Sequence, residues 1–117
     1  MPPLAEIDLR RDLPKVREQL DDILPNMGKC RYASPCVIGL MLPEDVRVAL
    51  DASADREGSP VISTLVDRGL VSMPEGQEID ATDLQSEFDC GDDEYCRKRF
   101  LAKLAELEAK YLPAEAA

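Results

Sequence analysis

Five side chains, Cys96, Phe100, Leu104, Leu107 and Tyr111, recur at intervals of three or four residues. That spacing returns each of them to one face of an α-helix. It predicts a long C-terminal helix from about Asp92 to Leu112. The stripe is close to a heptad seam, and we read it as core rather than as a dimer contact. Asp92, Asp93 and Glu94 fall in the first turn, where the helix dipole favours acids. Asp93 with Arg97 and Glu94 with Lys98 are acid-then-base pairs four apart, worth about 0.2–0.5 kcal/mol each.

The same period extends upstream. Asp12 reads as an N-cap with Pro14 in the first turn. Leu13, Val16, Leu20, Ile23 and Leu24 form its stripe, and "PNMG" at 25–28 ends it. Ser34-Pro35 opens a nearly all-apolar segment, Cys36 to Leu42, expected to be a buried helix. Pro43 interrupts it and starts another helix running to about Ala52, with Val46, Ala49 and Leu50 inward. A loop is expected at 53–58. Ser59-Pro60 opens a helix burying Val61, Ile62, Leu65 and Val66, with Gly69 as its C′ residue. Leu70, Val71 and Met73 read as a short extended piece before Pro74, and 74–79 as a polar loop. Asp80 or Thr82 caps a short helix burying Leu84 and Phe88, and Asp89-Cys90-Gly91 turns the chain. No period-2 strand stands out. The expectation is a small all-α, single-domain bundle of five or six helices: an arm at 1–11, one helical domain at 12–112 and a flexible tail at 113–117.

At 117 residues the chain suits one domain with a modest core. With no Trp and only two Phe and three Tyr, that core must be mainly aliphatic. "MPPLAEIDLRR" has no charged region followed by an apolar one, so no signal peptide is expected. The longest apolar run, "CVIGLML", is too short to span a bilayer. A cytoplasmic setting follows as the expectation, and a reducing cytosol disfavours disulfides.

The net charge of −10 is concentrated. Glu75, Glu78, Asp80, Asp83, Glu87, Asp89, Asp92, Asp93 and Glu94 lie within twenty residues that contain no Lys or Arg. Of 24 acids, nine fall here and 15 remain to face the chain's 14 bases. Such a polyanion repels nucleic acid and anionic membrane and attracts basic surfaces. It also serves simply as a solvated surface.

Several chemistries are missing. There is no His, so triads built on His are impossible within this chain. No P-loop and no GxGxxG pattern occurs. "DASADREG" at 51–58 places oxygens at Asp51, Ser53 and Asp55, as a calcium loop does. It then has Arg56 where Gly is needed and Ile62 where the bidentate Glu is needed. No enzymatic activity is expected.

All four cysteines sit in two Cys-x₅-Cys frames, "CRYASPC" (30–36) and "CGDDEYC" (90–96). Cys30, Cys36, Cys90 and Cys96 read three ways: ordinary thiols, a four-thiolate zinc site, or one or two disulfides. Structural zinc usually spaces a ligand pair by two to four residues, not five. Cys36 and Cys96 lie where core residues belong, as small hydrophobes. On a continuous helix Cys90 and Cys96 would point about 120° apart, so any joint role requires Gly91 to break the chain.

"CVIGLMLPEDVRVALDA" followed by "SPVISTLVDRGLVS" resembles small bacteriophage-encoded proteins with a helix-turn-helix-like element. The resemblance covers about residues 36–72 and implies an origin in a phage or prophage. In that pattern a basic recognition helix follows. Here Met73-Pro74-Glu75-Gly76 and the acidic run stand in its place.

The functional expectation is a non-enzymatic acidic interaction protein without a cofactor. It docks through 75–94 on a larger protein with a basic surface, as a phage-encoded inhibitor mimicking nucleic acid or as an assembly adaptor. One alternative is a helix-turn-helix-derived DNA-binding regulator using Arg97, Lys98, Arg99 and Lys103. The other is a zinc-stabilised Cys₄ module.

Overall fold

The computed structural model describes residues 3–28, 36–52 and 62–112. Cys30, the Ser34-Pro35 and Ser59-Pro60 helix openings, the loop at 53–58 with two of the candidate calcium ligands, and the tail at 113–117 lie outside them. Among the described residues six α-helices pack around one mainly aliphatic core: α1 (Leu9–Glu18), α2 (Leu20–Ile23), α3 (Glu44–Ala52), α4 (Ile62–Asp67), α5 (Gln77–Asp89) and α6 (Glu94–Tyr111). The fold is all-α, with a long C-terminal helix. No helix among the described residues is long and apolar enough to cross a membrane.

The α5–α6 hairpin is the spine. Cys96, Phe100, Leu104 and Leu107 of α6 are buried, and Tyr111 is half-buried, so the stripe is core. Ala81, Leu84 and Phe88 of α5 meet it. Phe88 and Phe100 are both fully buried and pack edge-to-face, with centroids 5.2 Å apart and planes at 75°. That geometry sets the electropositive ring edge against an electronegative face.

Helix α4 ends as its sequence indicated. Gly69 adopts φ +74°, its N–H bonds to Val66 O at 3.0 Å, and Leu70 N–H bonds to Leu65 O at 2.9 Å. This pair of bonds is a Schellman motif, and the positive φ explains the glycine. The chain then enters strand β2 (Val71–Ser72), the extended piece anticipated at 70–73.

Residues 4–9 of the expected arm are packed against the helical domain. Strand β1 (Ala5–Glu6) pairs in parallel with β2, with Ala5 opposite Val71 and Glu6 opposite Ser72. Leu4 N–H and Ile7 N–H extend the pairing to Leu70 O and Ser72 O. Ala5, Ile7 and Leu9 are buried, and this apolar alternation anchors the N-terminal segment. Because Leu9 is drawn inward, α1 starts there, capped by Asp8 and not by Asp12. Asp8 Oδ1 accepts from Arg10 N–H at 3.0 Å, and Asp8 N–H donates to Asp12 Oδ2 at 3.1 Å. The two acids form a reciprocal cap, close in logic to a capping box. Pro14 consequently sits inside the helix, which forgoes one main-chain bond there.

Residues 36–42 do not form the expected α-helix. They are all buried, but they fold as tight turns with a 3₁₀ turn at Gly39–Met41. Cys36 Sγ accepts from Gly39 N–H at 3.2 Å, and Leu42 is extended (φ −111°, ψ 147°), as the residue before Pro43 tends to be. On α3, Val46 and Leu50 are buried as expected, whereas Ala49 is exposed.

Candidate functional site

The structure divides the nine acids of 75–94 into two sets. Helix α5 starts at Gln77, three residues earlier than Asp80, and its acids at 80, 83 and 87 recur at helical spacing. Antiparallel α6 answers with bases. Asp80 pairs with Lys110 at 2.7 Å, Asp83 with Lys103 at 3.8 Å and Glu87 with Arg99 at 3.1 Å. Sequence separation shrinks along the ladder from 30 to 20 to 12 residues, as antiparallel neighbours require. Tyr111 OH also donates to Asp80 Oδ2 at 2.6 Å. Burial pushes the Asp80 carboxyl upward, but the Lys110 ammonium and Tyr111 hydroxyl outweigh it and hold it below the ordinary range. Exposed pairs of this kind add little stability, because water screens them. Their effect is to neutralise the middle of the acidic run.

The second set is Glu75 and Glu78 at the start of α5, and Asp89, Asp92, Asp93 and Glu94 around the α5–α6 turn. None of these six makes an ion pair among the described residues. Asp93 has a local duty: it is the N-cap of α6, its Oδ1 accepting from Cys96 N–H at 2.8 Å. Its backbone is extended (φ −77°, ψ 170°), outside the helical register that the expected Asp93–Arg97 pair needs. The expected Glu94–Lys98 pair is also not formed. Asp89 is half-buried, and desolvation pushes its carboxyl up to about 6. Beside these acids, Tyr95 stands 64% exposed with its hydroxyl accepting from Arg99 Nη1 at 3.1 Å. Near the other end Ile79 is 71% exposed next to Glu78. Each unpaired acidic group therefore has one large apolar or aromatic side chain beside it.

The four α6 cations of the DNA-binding alternative are split by the same ladder. Arg99 is held by Glu87 and Tyr95, and Lys103 lies between Asp83 and Glu106. Arg97 and Lys98 are exposed.

Of the cysteines, Cys90 and Cys96 are joined as a disulfide, with Cα atoms 5.8 Å apart. Gly91, at φ +153°, breaks the chain between α5 and α6 and lets the two meet. Cys36 is a buried free thiol that burial pushes up to about 12, so it stays protonated and behaves as a small apolar group. No group of three or more metal-ligating side chains gathers among the described residues.

Two functional contributors leave no mark in the sequence reading. Gln77 and Gln85, both buried, lie eight residues apart and thus on one face of α5. Their Oε1 atoms accept from Leu9 N–H and Ile62 N–H, both at 2.7 Å, tying α5 to the first turns of α1 and α4. The acidic surface is positioned by these bonds. The other contributor is a cationic cleft lined by Arg11 and Lys15 of α1, the 40–43 turn and Arg47 of α3. Compared with known proteins, the chain matches no family model, no curated protein and no solved structure.

Proposed function

We propose that this protein is a non-enzymatic interaction module that docks on a basic partner surface through its α5–α6 turn. The carrying observation is the division of the acids. Asp80, Asp83 and Glu87 are answered by α6, while Asp89, Asp92 and Glu94 crowd one end of the hairpin without an ion pair among the described residues. Exposed Tyr95, next to Glu94 in the first turn of α6, supplies the aromatic anchor that protein interfaces favour. Charge of one sign around such an anchor accelerates encounter and suppresses wrong partners. A groove built for nucleic acid is the partner chemistry that fits best. The module would then act as a nucleic-acid-mimicking inhibitor or an assembly adaptor, of phage origin as the resemblance at 36–72 implies. The engagement of Arg99 and Lys103 by acids makes DNA binding by α6 the weaker reading.

The test is a triple variant, Asp92→Asn, Glu94→Gln and Tyr95→Ala, which leaves the Asp93 cap intact. Binding to a partner isolated by affinity capture should weaken, and its dependence on salt should flatten. Unchanged affinity and salt slope would sink the proposal.

A further inference from the structure

A cleft of about 590 Å³ opens between β1, α1 and the 40–43 turn, on residues the acidic surface does not use. Its walls carry three cations. Arg11 and Lys15 lie four apart on α1 and so share one face, which Gln19 continues. Arg47 of α3 lies across from them, its Nε donating to Leu42 O at 3.0 Å. The floor is the buried turn Leu40–Leu42 with exposed Pro43.

In a chain of net charge −10, cations gathered in a concavity call for a reason. Elsewhere, Arg17, Arg99, Lys103 and Lys110 each meet an acid from another helix. In the cleft the arrangement is different. Arg11 and Lys15 share one carboxylate, the fully buried Asp12, at 2.8 and 3.3 Å. Arg11 also donates to Glu6 O at 2.6 Å, which fixes its guanidinium in the lining. Arg47 makes no ion pair among the described residues, and its hydrogen bond to Leu42 O leaves its terminal nitrogens free to point a fork at a ligand. Among the described lining residues Glu6 is the one acid, apart from the buried carboxylate of Asp12 that Arg11 and Lys15 share. The volume lies within the range of sites for small organic ligands.

We infer that this cleft binds a small organic anion, its carboxylate or phosphate head held by Arg11, Lys15 and Arg47 and its apolar body against residues 40–43. Arg11 has spent Nε and Nη2 on Asp12 and Glu6 O and offers its Nη1 hydrogens, so the free Arg47 fork, that Nη1 and the Lys15 ammonium are the donors for a planar or tetrahedral oxyanion. The site goes beyond the proposed docking surface and does not depend on it.

The test is calorimetric titration of the full chain with phenyl phosphate, benzoate and inorganic phosphate at one fixed ionic strength. Phenyl phosphate or benzoate should bind saturably, and which one binds distinguishes a phosphate head from a carboxylate. Inorganic phosphate should bind about tenfold or more weakly, having no apolar body. The double variant Lys15→Gln, Arg47→Gln should lose about tenfold or more of that affinity while still unfolding cooperatively. Arg47→Gln alone, expected to lose part of it, keeps the comparison open if the double variant does not fold. No saturable binding by either organic anion, or equal affinity in wild type and variant, overturns the inference. So does concentration-dependent dimerisation that the variant abolishes, because the occupant is then a second copy.

Discussion

Gln77 and Leu9, sixty-eight residues apart, share a buried hydrogen bond: the Gln77 Oε1 accepts the first N–H of helix α1 at 2.7 Å. The same amide donates through Nε2 to Asp8 Oδ1 at 3.0 Å. This bond, followed by the Arg10 N–H, holds the Asp8 carboxyl below its ordinary range. One side chain thus satisfies an orphan donor at a helix start and steadies its cap. Gln77→Leu leaves the Leu9 N–H buried without an acceptor. The expected loss is about 1–3 kcal/mol of unfolding free energy, read from urea denaturation. A change of only a few tenths would show that water replaces the amide without penalty.

Asp12 is the second polar linchpin. Its fully buried carboxylate takes Asp8 N–H, Arg11 Nε at 2.9 Å, Arg11 Nη2 at 2.8 Å and the Lys15 ammonium. Asp12→Ala removes an acceptor of charge-assisted bonds, and the expected cost is about 1.5–3 kcal/mol. The cations are half exposed and can turn to water, which keeps the figure below that of a fully buried pair. Thermal denaturation should place Asp12→Asn between wild type and Asp12→Ala, since the amide keeps an acceptor oxygen. If Asn is as damaging as Ala, the charge matters more than the hydrogen bonds.

These two residues show what was legible in the sequence. The α6 stripe and the Gly69 terminus were, because helical period and C-cap chemistry are local. The start of α1 was not. Asp8 becomes the cap only because Ala5, Ile7 and Leu9 are held against a strand sixty-six residues further along the chain. Cys36–Leu42 is apolar on all sides and therefore has no period from which helix and turn can be distinguished. The acids of α5 were plain as acids, but whether a charge is answered is a tertiary property. Lys103 and Lys110 answer Asp83 and Asp80 from the neighbouring helix. Gln77 and Gln85 were hidden because a glutamine in an acidic run looks like surface unless its backbone partner is known.

Asp89 gives the turn a pH dependence. Desolvation raises its carboxyl from an ordinary 3.8 to about 6 in the fold. Between about pH 4 and pH 6 the folded state keeps a proton that the unfolded state has lost. Stability from this group is therefore full below pH 4 and is lost as pH rises through about 6. Asp89→Asn should remove that slope and stabilise the protein at pH 7.5 by about 1–2 kcal/mol, a figure discounted for the group's partial exposure. Denaturation curves for both proteins across pH 4–8 should converge at the acid end. Parallel curves across the whole range would mean that Asp89 titrates normally.

Gly28 and Gly69 have similar backbones, with φ +85° and +74°, but different surroundings. A Cβ on Gly28 would meet Gly91 Cα at 3.1 Å, while one on Gly69 would meet nothing within 4 Å. Gly28 N–H also bonds to Phe88 O at 3.0 Å, so this contact seats the 25–28 turn against the end of α5. Alanine at either position carries the left-handed penalty of about 1–2 kcal/mol. Gly28→Ala must in addition push two backbones apart, because the opposing atom is main chain and cannot swing away. The difference between the two variants therefore isolates the close approach. Gly28→Ala is expected to lose about 1 kcal/mol or more beyond Gly69→Ala, the scale at which overpacking is felt. Hydrogen exchange at the Gly28 amide should speed up in the same variant. Equal losses at the two positions, with the Gly28 amide still protected, would show that the Gly28–Gly91 contact yields freely.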